Sequence, residues 1–196
     1  MANVTVQFNA NGGSGSITPI TTAQGNTVEL PTSGFYRTGR HMVSWTKDST
    51  SGTVYALGYP YQANANTVFY ARWAANTYKV YFNPNGGSGT VVYQNFTYGV
   101  SQALAPNTFS RPGYVFLGWS RNFAATNPTY TDQETVVNLT DEDNGTVDLY
   151  AVWKKAGVSV KDNGQWKTGE VYAKVDGAWK AATVYTKVNG TWKVSG

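Results

Sequence analysis

The sequence predicts a mainly β protein assembled from repeats, and three observations carry that prediction. The 196 residues include 7 Trp, 14 Tyr, 8 Phe and 21 Gly, a mixture suited to short twisted strands joined by tight turns. Strong helix formers are sparse and no long stretch shows a helical apolar period, whereas Val4-Thr5-Val6-Gln7-Phe8 alternates as a half-buried strand does. Finally, Phe8-Asn9-Ala10-Asn11-Gly12-Gly13-Ser14-Gly15 returns 74 residues later as Phe82-Asn83-Pro84-Asn85-Gly86-Gly87-Ser88-Gly89. Self-similarity at a fixed offset marks modular architecture. An active site is rarely built twice in series.

The first unit, residues 1–75, opens with the Val4–Phe8 strand. It ends at Asn11-Gly12-Gly13, where consecutive positive φ values cost little for Asn and Gly. Met42–Trp45 and Thr67–Trp73 read as later strands, and Ser49–Gly52 as a loop. The second unit, residues 76–154, repeats the plan: Leu30 and Leu104, Arg37 and Arg111, Gly39 and Gly113, Trp45 and Trp119 all keep the 74-residue offset. Tyr70-Ala71-Arg72-Trp73 and Tyr150-Ala151-Val152-Trp153 lie 80 apart, and the six extra residues are assigned to the loop holding Asp141-Glu142-Asp143-Asn144-Gly145. The matched tryptophans are expected in the core, because a β unit of about 70 residues has few other groups as large to bury. Ala74–Thr77 is too short for a free linker, so the units should abut.

The third unit, residues 155–196, has a period of 13, set by Trp166, Trp179 and Trp192. Each Trp follows an Asn-Gly or Asp-Gly pair flanked by alternating residues, the signal for a two-residue hairpin turn of type I′. That turn sets Val175 opposite Ala178 and Lys174 opposite Trp179, and likewise Lys161 opposite Trp166 and Lys187 opposite Trp192. The expected product is an antiparallel β-hairpin meander of three copies.

Charge separates these parts. Residues 1–153 carry seven basic and eight acidic side chains, whereas residues 154–196 carry eight Lys against Asp162, Glu170 and Asp176. The positive character is therefore a property of the hairpins. There is no Cys, which excludes disulfides and thiolate metal sites. The first residues show neither a basic n-region nor an apolar h-region, and no apolar run approaches the roughly 20 residues that cross a bilayer. Export by the ordinary secretory route is not expected.

Candidate chemistry is thin. His41 is the only His, too little for a zinc site or a Ser-His-Asp constellation. Asp141-Glu142-Asp143-Asn144-Gly145 has the alternating oxygens that Ca²⁺ accepts but lacks a closing Glu, so it reads as a solvated acidic loop. Asp132 and Glu134 lie two apart with no partner motif, and read as surface charge. Asn11–Gly15 lacks the Lys-Ser/Thr of a phosphate-binding loop. No catalytic residue, metal site or cofactor is expected. Six residues stand out as a ligand or docking surface: Trp166, Trp179, Trp192, Lys161, Lys174 and Lys187. A Lys opposite a Trp supports a cation–π contact of about 0.5–1 kcal/mol when exposed. Packing is the first use of such pairs and docking the second; nucleic acid comes last, since the segment has no Arg.

The second copy's Asn83-Pro84-Asn85-Gly86-Gly87, Arg111-Pro112-Gly113-Tyr114-Val115-Phe116-Leu117-Gly118-Trp119 and Leu149-Tyr150-Ala151-Val152-Trp153 resemble the Listeria–Bacteroides repeat, also known from the internalin B-repeat. The first copy departs, with Thr38, Arg40 and Ser44 where the second has Pro112, Tyr114 and Gly118. The resemblance implies two tandem β-grasp-like repeats. Such repeats occur in bacterial surface proteins and some phage proteins, where they act as spacers or weak adhesion modules. It supplies no catalytic residue. The hairpins resemble short tails of phage virion proteins.

The expectation is a non-enzymatic bacteriophage virion protein: a capsid decoration, head fibre or tail component. Its C-terminal part would anchor it to other virion proteins or further copies of itself. The projecting repeats would contact a bacterial surface glycan, with no nucleic acid or membrane partner. The alternative is a bacterial cell-surface adhesin or spacer module with weak glycan binding.

Overall fold

The computed structural model describes residues 2–162, 165–169, 172–182, 185–188 and 191–194, with side chains described for 2–157, 172–180 and 182. Among the described residues every regular element is a strand and none is a helix. Two compact units result. One comprises Met1–Lys79, Asn95–Ser101 and Val137–Thr146; the other comprises Val80–Gln94, Gln102–Val136 and Val147–Gly196.

The first repeat runs through β1 (Asn3–Asn9), β2 (Ser14–Gly15), β3 (Ile20–Ala23), β4 (Thr27–Glu29), β5 (Phe35–Tyr36), β6 (Arg40–Lys47), β7 (Val54–Tyr55), β8 (Pro60–Gln62) and β9 (Thr67–Ala75). Alternation sets β1: Val4 and Val6 are buried while Asn3 and Gln7 face out. Five strands form one sheet in the order β3-β1-β9-β6-β7. Its centre is a parallel pair of first and last strands, with Val6 opposite Thr67 and Phe8 opposite Phe69. The other neighbours are antiparallel. This is the β-grasp order, with the crossover made of turns and the small ribbons β2-β5 and β4-β8.

The second repeat uses β10 (Thr77–Asn83), β11 (Val92–Thr97), β12 (Gln102–Ala103), β13 (Tyr114–Ser120), β14 (Thr135–Val136) and β15 (Gly145–Lys155). Its sheet order, β11-β10-β15-β13, reproduces β3-β1-β9-β6 of the first, an isolated bridge from Trp119 to Tyr130 stands in the place of β7, and β12-β14 stands for β4-β8. Even the irregularity is copied. The pairing register slips between Met42 and Ser44 on β6, and between Phe116 and Gly118 on β13. At the second bulge Gly118 has φ +143°, and the carbonyl of Tyr130 occupies the place of a Cβ. That contact accounts for Gly where the first copy has Ser44.

Both cores centre on the expected indoles, Trp45 and Trp119, which are 0 % and 1 % exposed. Trp45 packs against Phe8, Phe35 and Phe69, and Trp119 against Phe82, Phe109 and Phe116. Trp73 and Trp153 are half-buried. The length difference is located by matched backbone bonds, Leu30 N–H to Tyr59 and Leu104 N–H to Glu134. One of the six extra residues precedes Glu134 and five follow it, in the stretch that includes the acidic loop.

The C-terminal hairpins pair as three two-stranded sheets: β16 (Val158–Asp162) with β17 (Gln165–Gly169), β18 (Tyr172–Val175) with β19 (Ala178–Ala181), and β20 (Tyr185–Val188) with β21 (Thr191–Val194). Their registers are the expected ones, Lys161 opposite Trp166, Lys174 opposite Trp179 and Lys187 opposite Trp192. In the middle hairpin Asp176 and Gly177 have φ +51° and +81°, as a type I′ turn requires.

Candidate docking site

The Asn-x-Asn-Gly-Gly segment is a clamp between the first turn and the last strand. Asn11 and Gly12 take φ +47° and +80°, and Gly13 N–H closes the turn on the Ala10 carbonyl at 3.0 Å. The Asn11 side-chain amide donates to the Ala71 carbonyl of β9 at 2.9 Å. The Trp73 indole N–H donates to the Ala10 carbonyl at 2.9 Å. The second copy repeats each link: Asn85 to the Ala151 carbonyl at 2.9 Å, and Trp153 to the Pro84 carbonyl at 2.8 Å. These residues are absorbed by structure, as turn chemistry predicted.

Beside the second clamp lies an open groove of about 440 Å³ whose walls include Phe109, Arg111, Tyr114, Phe116, Trp153 and Ala156. The Arg111 guanidinium carbon sits 3.8 Å from the centre of the Tyr114 ring, a cation–π stack that fixes one wall. The Phe116 and Trp153 rings meet edge to face at 5.5 Å. Gly113 lies on the groove floor, and among the described residues nothing comes within 4 Å of the place a Cβ would take. Such a concave site, apolar with one planar cation, suits an aromatic or planar group.

The corresponding place on the first repeat is filled. There the Tyr98 ring lies where a Cβ on Gly39 would stand. Asn76 N–H donates to the Gly39 carbonyl at 2.9 Å, and Tyr98 N–H donates to the Asn76 carbonyl at 2.8 Å. The buried Asn76 side chain donates to the Asp141 carbonyl at 2.6 Å and faces His41, whose Nδ1 is 2.9 Å from Oδ1 of Asn76. Asp143 caps the Thr77 N–H at 3.0 Å and approaches His41 Nδ1 at 3.5 Å. Both groups that face Nδ1 are side-chain oxygens, of Asn76 and Asp143. His41 is thus a half-exposed structural residue. The acidic loop, read from sequence as merely solvated, spends Asp141 and Asp143 on this seam.

Of the six residues singled out by sequence, Lys174 and Trp179 have described side chains. Trp179 is 70 % exposed and Lys174 is exposed opposite it. Trp166, Trp192, Lys161 and Lys187 pair in backbone register, and their side chains lie outside the described ones. The groove was not singled out from sequence, because Arg111, Tyr114 and Trp153 were read as family motif and core. The signal that marks it is the exchange of Arg40, Met42 and Asn76 in the first copy for Tyr114, Phe116 and Ala156 in the second.

Comparison with known proteins bears on this arrangement. Over 150 residues the chain is 27 % identical to a protein of Evansella cellulosilytica described as a Gly-rich membrane protein. That match covers 76 % of this chain but 16 % of the relative, so the chain spans a small part of that protein's length. No solved structure matches at a significant level. The model of the Listeria–Bacteroides repeat domain matches two segments, residues 5–72 and 78–152, the same two that share the clamp, bulge and sheet order. The chain belongs to the Listeria–Bacteroides repeat family and carries two tandem copies of that repeat.

Proposed function

We propose that this is a non-enzymatic structural protein of a bacteriophage virion, in which the Trp-Lys hairpins attach to other virion proteins and the two repeats project as a spacer. The observation that carries the reading is the division of labour among the tryptophans whose side chains are described. The repeats commit Trp45, Trp73, Trp119 and Trp153 to their own packing, whereas the middle hairpin displays Trp179 at 70 % exposure beside an exposed Lys174. Tryptophan is among the residues that most often carry the binding energy at the centre of an interface. A capsid or tail neighbour, or another copy of the chain, would cover it. Weak contact of the projecting repeats with a host-surface glycan is part of the same proposal.

Mass spectrometry of purified particles, with cryo-electron microscopy to place the density, tests this directly. A chain truncated after Gly157 should be lost from particles while keeping the β circular dichroism of the repeats. Particles that retain the truncated chain would rule out the hairpins as anchor. Glycan arrays probed with the chain truncated after Gly157 test sugar contact by the repeats, and an array without signal counts against it.

A second reading is favoured by the match to a stretch of a longer Gly-rich membrane protein. In it the two repeats are a spacer or adhesion module at a bacterial cell surface. Recovery in a cell-wall fraction, with none in particles, would select it.

A further inference from the structure

We propose that the Gly113 groove of the second repeat is a receptor for a tyrosine carried on a turn of a neighbouring repeat-type module, as the first repeat already receives Tyr98. The inference holds in either setting proposed above. It rests on a comparison that the chain makes with itself. At Gly39 the receiving glycine is covered by an aromatic ring, and at Gly113, among the described residues, it is not. The receiving backbone is otherwise the same: Ala156 N–H donates to the Gly113 carbonyl at 2.8 Å, as Asn76 N–H does to Gly39 at 2.9 Å. The Ala156 carbonyl therefore stands in the position of the Asn76 carbonyl, which accepts the Tyr98 N–H.

The groove also indicates what its occupant lacks. The first seam is polar, because His41 and Asn76 meet the acidic loop that lies in the second repeat's longer stretch. At the corresponding positions the second repeat has Val115, 45 % exposed, and Ala156. An occupant would thus bring an aromatic ring without the carboxylates. The free tip of the first repeat has that shape. Gln24 N–H donates to the Ala2 carbonyl at 2.9 Å, the same turn as Tyr98 on Asn76, and Gly25 follows with φ +90° where Gly99 has +82°. The first repeat has no counterpart of the acidic insertion. What it lacks is the ring, since Gln24 stands where the second repeat has Tyr98.

The full-length variant Gln24→Tyr supplies that ring, and sedimentation velocity reads the result. Q24Y should self-associate at least tenfold more tightly than wild type. The added substitution Ala156→Trp, which fills the groove while leaving the Ala156 backbone bond in place, should return it to wild-type behaviour. A Q24Y chain that sediments like wild type, or an association that survives Ala156→Trp, would overturn the proposal. If circular dichroism shows Q24Y to be unfolded, a cyclic peptide of residues 95–100 titrated into wild type replaces it, with the Trp153 indole resonance as readout. Saturable shifts that vanish when the peptide's tyrosine is alanine support the receptor, and their absence overturns it.

Discussion

A Cβ on Gly13 would stand 2.5 Å from Cζ2 of Trp73, so the flat edge of the indole rests directly on the glycine backbone. The same Trp bonds the carbonyl three residues earlier, at Ala10, so one side chain both requires the glycine and satisfies the turn. Gly87 and Trp153 repeat the relationship at 2.8 Å.

Gly13→Ala should therefore destabilise the protein by about 1–3 kcal/mol, the range for forcing a methyl into a packed site. The Tyr36 carbonyl at 2.9 Å blocks retreat on the other side. Urea denaturation followed by tryptophan fluorescence measures it. An unchanged midpoint would mean the indole steps aside.

The two core indoles should respond differently to loss of their N–H. Trp45 donates to the Pro31 carbonyl at 2.9 Å, while Trp119 Nε1, equally buried, has no hydrogen-bond partner among the described residues. The sequences differ at that point: Leu30-Pro31 against Leu104-Ala105-Pro106. Trp45→Phe leaves a carbonyl without its donor, whereas Trp119→Phe removes an unsatisfied group. Trp45→Phe should cost about 1 kcal/mol more than Trp119→Phe. Equal losses in thermal unfolding would refute the distinction.

Asn76→Ala should cost about 1–3 kcal/mol, because it strips partners from His41 and from the Asp141 carbonyl in a buried place. Hydrogen exchange at the Tyr98 amide, bonded to the Asn76 carbonyl, should quicken. Unaltered exchange there would show that the seam is held by backbone alone.

How far these features could be read from residues alone differs from one to the next. The Asn-Gly turns and the hairpin registers were legible because positive φ and strand alternation are local rules, and the paired tryptophans were legible because they recur. The parallel pairing of β1 with β9 was not: Val6 meets Thr67 across the whole repeat, and no local pattern reports it. Nor was the seam, since Gly39, Asn76, Tyr98 and Asp143 each look like an ordinary turn residue until the backbone brings them together. The groove escaped for a similar reason, as Arg111 and Tyr114 are motif residues whose stacking leaves a space that sequence does not show.

The central pair of each repeat also bears on tension. In the first repeat, β1 and β9 are parallel neighbours over Val6 to Asn9 and Thr67 to Tyr70. A pull on the chain entering β1 and leaving β9 drags the two strands past each other along their length. The evenly spaced bonds of a parallel ladder then share that load together instead of opening one by one. A repeat built this way resists being drawn out by its two ends.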